Sequence, residues 1–91
     1  MNQFYTLEEA KALSGDQLIA HTGTEVEPIS DRVVNFLTLH VEDTKGKQHE
    51  IRVTAHPEGV RDVDSPEHQA AWDRHLPIMI AELKEELDKL D

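Results

Sequence analysis

The chain has 91 residues, no cysteine and a formal net charge of −10, which admits one domain and excludes disulfides, thiolate metal sites and cysteine nucleophiles. A chain this short buries only about 60–65% of the surface its unfolded form exposes, so deep pockets are costly and surface recognition is the expected mode of action. The start, Met1 to Glu9, has no basic or apolar run and does not read as a signal peptide, nothing approaches the roughly 18 apolar residues of a membrane span, and the expected compartment is the cytoplasm.

The first element begins at Thr6. Thr6 and Glu9 form a capping-box pattern, in which each side chain satisfies a free backbone N–H of the other residue. Leu7, Ala10 and Leu13 follow at helical spacing and Ser14-Gly15 ends the run, so a short helix is predicted over about residues 7–13. Phe4 is placed to pack back on it. A strand is predicted over most of residues 17–27, although Ser14 with Gln17 has the pattern of a second helix cap. Gly23 suggests a bulge or break in that strand, and Pro28, which cannot donate to a ladder, closes it.

From Arg32 to Glu42 the apolar residues Val33, Leu37, Leu39 and Val41 fall on odd positions. From His49 onward Ile51, Val53 and Ala55 do the same. Period-two alternation in both runs predicts two strands sharing one buried face. Between them, Asp43-Thr44-Lys45-Gly46-Lys47 fits a type I turn with Gly46 left-handed in a bulge. That loop pairs Asp43 with Lys47, and therefore Leu39 with Ile51 and Leu37 with Val53. Odd meets odd, so residues 32–56 are read as a hairpin with one core face.

Ser65-Pro66 then starts a helix, with Ser as the cap and Pro in the first turn. Trp72, Leu76, Met79, Ile80, Leu83, Leu87 and Leu90 form one stripe along it. Pro77 interrupts the stripe without shifting its phase, which favours one kinked helix over a break and restart. The expected architecture is a single acidic α+β domain over residues 1–91. It has a short N-terminal helix, a three-stranded antiparallel meander containing the hairpin, and a long C-terminal helix kinked or broken near Pro77. Both helices cover the odd-numbered sheet face.

Six histidines invite a search for metal or acid–base chemistry. His40 and Glu50 should face each other across the hairpin, a pair that can hold a metal or move a proton but is also an ordinary exposed cross-strand pair. His68 and His75 are seven residues apart, about 10 Å along a helix axis, which is too far to share a metal, so both are expected in solvent. Asp62, Asp64 and Glu67 lack the ligand spacing and internal glycine of a calcium loop. There is no glycine-rich phosphate loop, and Ser14, Ser30 and Ser65 all stand in turn or cap contexts. No metal, no cofactor and no catalysis are expected.

Charge is unevenly placed. Residues 1–31 carry six acids and one base, residues 32–57 three acids and four bases, and residues 58–91 ten acids and four bases. Such a chain is repelled by phosphate backbones and anionic lipid and attracted to basic surfaces. Direct nucleic-acid or membrane binding is therefore not expected. Glu8, Glu9, Glu25, Glu27, Glu82, Glu85, Glu86 and Asp88 are the candidate partner-binding residues. They suit an inhibitor or adaptor that docks on a nucleic-acid-handling protein, in the sharpest form a DNA mimic of the phage inhibitor type. A second expectation is a homodimer or scaffold held by the apolar stripe of Trp72, Leu76, Met79, Leu83, Leu87 and Leu90, whose spacing gives two heptads. A third is a small enzyme or metal protein using His40 and Glu50.

Overall fold

In the computed structural model, which describes residues 4–91, the first element is a two-residue strand, β1 (Tyr5–Thr6). Thr6 ends this strand and caps helix α1 (Leu7–Ala12). Its hydroxyl accepts from the Glu9 amide at 3.2 Å, and Glu9 Oε1 accepts from the Thr6 amide at 3.0 Å. Ser14 and Gln17 repeat the reciprocal arrangement for α2 (Gly15–Ile19), with contacts of 3.2 and 2.9 Å. The strand expected from residue 17 therefore starts only at Thr22, as β2 (Thr22–Val26). Two satisfied backbone donors outweigh a weak extended pattern here, and α2 needs to bury only Leu18, which is fully enclosed.

Strands β3 (Val33–Glu42) and β4 (Gln48–Ala55) form the hairpin in the register the alternation requires, with Leu37 opposite Val53 and Leu39 opposite Ile51. The Asp43 amide donates to the Lys47 carbonyl at 2.8 Å, and the Gly46 amide to the Asp43 carbonyl at 3.0 Å. Gly46 has φ of 83°, a conformation that side chains with a Cβ resist. Asp43 organises the loop: its Oδ1 accepts from the Lys45 and Lys47 amides, each at 2.9 Å, and its Oδ2 lies 2.8 Å from His49 Nε2. These contacts, the one to His49 first among them, hold the Asp43 carboxyl below its usual value.

Strand β3 is the centre of the sheet. Strand β4 runs along one side of it, while β2 pairs antiparallel with its first half and β1 pairs parallel at Val41 and Glu42. The sheet is thus mixed and four-stranded, where a three-stranded antiparallel meander was expected. The three antiparallel strands are present; the parallel addition was missed because two residues have no periodicity to read. Phe4 meets the His40 ring edge-on at 5.4 Å. Gly23 makes no bulge, since pairing is continuous from Thr22–Leu37 to Val26–Val33. The Phe36 ring occupies its place: a Cβ on Gly23 would lie 2.5 Å from Phe36 Cζ. The Arg52 guanidinium stacks 4.4 Å from the centre of the same ring.

Helix α3 (Pro66–Asp88) runs unbroken through Pro77. The proline removes the hydrogen bond to the Asp73 carbonyl, but both residues are exposed, so water can replace the missing donor. Its inner face sets Met79, Leu83 and Leu87 on the odd sheet face, against Leu37, Leu39, Val41, Ile51 and Val53. Leu7, Ala10 and Leu18 complete this core. Lys84 Nζ donates to the carbonyls of Lys11 and Leu13 at 2.8 and 3.0 Å, which ties the end of α1 to α3. Among the described residues, no helix is long and apolar enough to cross a membrane.

Candidate interaction site

The acids of α3 are sorted by helical period onto different flanks. Glu82, Glu85 and Glu86 turn toward β4, where with Ile51, Val53 and Leu90 they line a groove of about 560 Å³. Asp88 turns toward α1 and lies 3.7 Å from Lys11 Nζ, which also contacts Asp91. Hydrogen bonding to Asp91 in turn holds Lys11 above the ordinary lysine range. Within the groove wall, Lys89 Nζ bonds Glu86 Oε1 at 2.9 Å. Glu82 and Glu85 have no ion pair among the described residues. Ile78, 64% exposed, stands one turn before Glu82.

The other candidate acids lie elsewhere. Glu8 and Glu9 are exposed on α1, and the Thr6 amide that Glu9 accepts from holds its carboxyl low. Glu25 is on β2 and reaches the open sheet face, where Arg52 Nη2 binds it at 2.5 Å. Glu27 lies 3.6 Å from His56 Nε2. The eight acids are not gathered into one field; the structure concentrates three of them beside β4 and distributes the rest. The sequence could not show this, because it depends on which flank of α3 faces the sheet edge.

The apolar stripe is largely spent on the core. Met79, Leu83 and Leu87 are fully buried, while Trp72, Leu76 and Leu90 are half-buried. His40 and Glu50 do stand opposite each other in the hairpin register. Among the described residues, no three His, Cys, Asp or Glu side chains are grouped to hold a metal ion.

A polar junction at the other end of α3 overturns the expectation that His68 and His75 are solvated. His68 is only 6% exposed. Its Nδ1 lies 2.8 Å from the Val63 carbonyl and its Nε2 2.9 Å from Asn35 Oδ1. Asn35, fully buried on β3, also accepts from the Thr24 hydroxyl at 3.1 Å, and its Nδ2 lies 3.4 Å from His75 Nδ1. Two histidines seven residues apart thus meet the two ends of one amide, since two helical turns match the reach of a side chain lying between them. Both His68 nitrogens thus face oxygens, one on the backbone and one on a buried side chain. Burial, ahead of the charges of Arg74 and His68, holds the His75 pKa below the usual histidine value. The signal for this junction was available: Asn35 is the polar residue at an odd, core-facing position of β3.

Comparisons with protein-family models, curated proteins and solved structures return no match to this chain.

Proposed function

We propose that the protein is a non-catalytic binding module that docks on a basic surface of a partner protein, as an inhibitor or adaptor. The observation that carries this reading is the groove flank of α3. There Glu82, Glu85 and Glu86 stand beside one another on a helix whose neighbouring face is locked into the core. Carboxylates held on a rigid element lose little freedom on docking, so they favour association more than the same charges on a loop would. A partner that handles nucleic acid fits best, because its basic surface is already built to receive rows of negative charge. Carboxylates would then stand in for phosphates, the DNA-mimic form of the reading, in a cytoplasmic setting.

The test is recovery of partners from lysate of the source cell by the wild-type chain and by the Glu82→Gln/Glu85→Gln/Glu86→Gln variant. A nucleic-acid-binding protein held by wild type, released by salt or competing DNA and lost from the variant, is the expected result. Equal recovery by both proteins overturns the reading. Assembly through the stripe of α3 is the second reading, with the half-buried Trp72, Leu76 and Leu90 as its accessible parts. Self-association that survives high salt would favour it.

A further inference from the structure

We infer that the groove between β4 and α3 receives an extended basic segment of the partner, which adds to the sheet as a fifth strand along β4. This deepens the proposed docking on a basic partner and rests on that reading.

The geometry begins with the hairpin. The Asp43 amide bonds the Lys47 carbonyl, and in an antiparallel ladder successive residues turn their backbone groups to opposite sides. The odd residues of β4 therefore face β3, and Gln48, Glu50, Arg52 and Thr54 turn both N–H and C=O outward. Among the described residues β4 pairs with β3 alone. This edge is eight residues long and has neither proline nor bulge, two of the devices that close an edge to pairing, while the charges it carries, on Glu50 and Arg52, are of opposite sign. A row of unsatisfied donors and acceptors at strand spacing is recognised by another extended backbone.

Charge then selects the occupant. An added strand alternates its side chains between the two faces of the sheet. Every second one enters the groove, above Ile51, Val53 and Leu90 and beneath Glu82, Glu85 and Glu86. Lysine or arginine meets both demands, with its aliphatic stem on the apolar floor and its charged head among the carboxylates. The intervening side chains emerge on the open face beside Glu50 and Arg52, where no such charge preference is imposed.

A second copy of the chain is the competing occupant. Antiparallel pairing of two β4 edges about Ile51 would set Glu50 of each copy against Arg52 of the other. That local gain comes with two acidic α3 flanks brought together and two chains of net charge −10 joined, so electrostatics favour the basic segment. Basic tails of nucleic-acid-binding proteins are commonly disordered when free, and such a segment can order as it docks.

The experiment uses the full chain and a synthetic octapeptide of alternating lysine and valine. A second peptide has the same sequence but N-methyl groups on alternate backbone nitrogens, on the bonding side. Binding is read by NMR, with amide exchange followed at Gln48, Glu50, Arg52 and Thr54. The expected result is slowed exchange at these four amides with the first peptide. Binding should weaken at least about tenfold on N-methylation, and by a similar factor in Glu82→Lys/Glu86→Lys.

Equal binding of the two peptides that is still weakened by Glu82→Lys/Glu86→Lys overturns strand addition but leaves acidic docking standing. Binding indifferent to both changes, or no binding of either peptide, overturns the groove as the site. Slow exchange at the four amides without peptide, together with a dimer in sedimentation, assigns the edge to a second copy and overturns the choice of occupant.

Discussion

The two halves of α3 use one helix in opposite ways. Near its start, His68 and His75 turn inward to a buried amide, and the polar groups there are matched by protein partners. Near its end, the inward face is apolar and the carboxylates stand outside, beside a strand whose outward backbone groups have no strand partner among the described residues. The first half specifies how the helix seats on the sheet. The second half leaves bonding capacity unused at the surface. Which half serves the fold and which serves recognition follows from where hydrogen bonds are closed and where they are left open.

This contrast yields predictions in order of effect on stability. The largest should come from Leu83→Ala, which empties a fully buried site beneath the groove and should cost about 2–5 kcal/mol in denaturant unfolding. A cost near zero would mean that the C-terminal half is not seated as described.

Next is Asn35→Ala. It leaves His68, Thr24 and His75 facing a missing partner and should cost about 1–3 kcal/mol. Peptide binding at the groove should be unchanged at temperatures where the variant is folded. If the variant matches wild type in stability, the junction is a tolerated coincidence and not a specifying contact.

A smaller effect concerns pH. Because burial holds His75 below its ordinary value, the folded state resists a proton that the unfolded chain accepts. Stability is then complete above the unfolded value, about 6.5 for histidine. It falls as pH drops below that value and levels off once the folded ring also titrates. His75→Gln should flatten this part of a melting-temperature profile, and an unchanged slope would assign the acid sensitivity to other groups.

The smallest effect belongs to the groove wall. Glu82→Gln/Glu85→Gln/Glu86→Gln should shift stability by no more than about 0.5 kcal/mol, with relief of repulsion favouring the variant. A large loss would show that these carboxylates hold the fold together and would blur the division between the halves.

What the sequence made legible follows the same division. The hairpin was readable down to its register because alternation and a five-residue turn both constrain it, and each demands the same pairing. The cap residues Thr6 and Ser65 were readable because capping is local chemistry. Helix α2 was misread as strand since five residues carry too little pattern to decide between two local options. The parallel strand at Tyr5 depends on a partner more than thirty residues away, and no local signal announces it. In the candidate site, Glu82, Glu85 and Glu86 were legible as partner-binding candidates from their charge. Their separation from Asp88, and their alignment with a free strand edge, required the packing angle of α3. The polar junction was only half legible: Asn35 breaks the apolar alternation, but its partners His68 and His75 lie more than thirty residues further along the chain.

The position of β3 has a consequence for the order in which the chain can assemble. It is the strand that pairs with each of the other three, so none of the sheet can form until β3 itself has been synthesised. The hairpin, built from neighbouring segments, can close soon afterward. Tyr5, synthesised well before its partner, has to wait for Val41, and the buried amide of Asn35 stays open until His68 and His75 arrive. Segments that precede and follow β3 are thus delivered to the same strand at different times, and a nascent chain halted before α3 would carry its core face uncovered, the form most prone to aggregate.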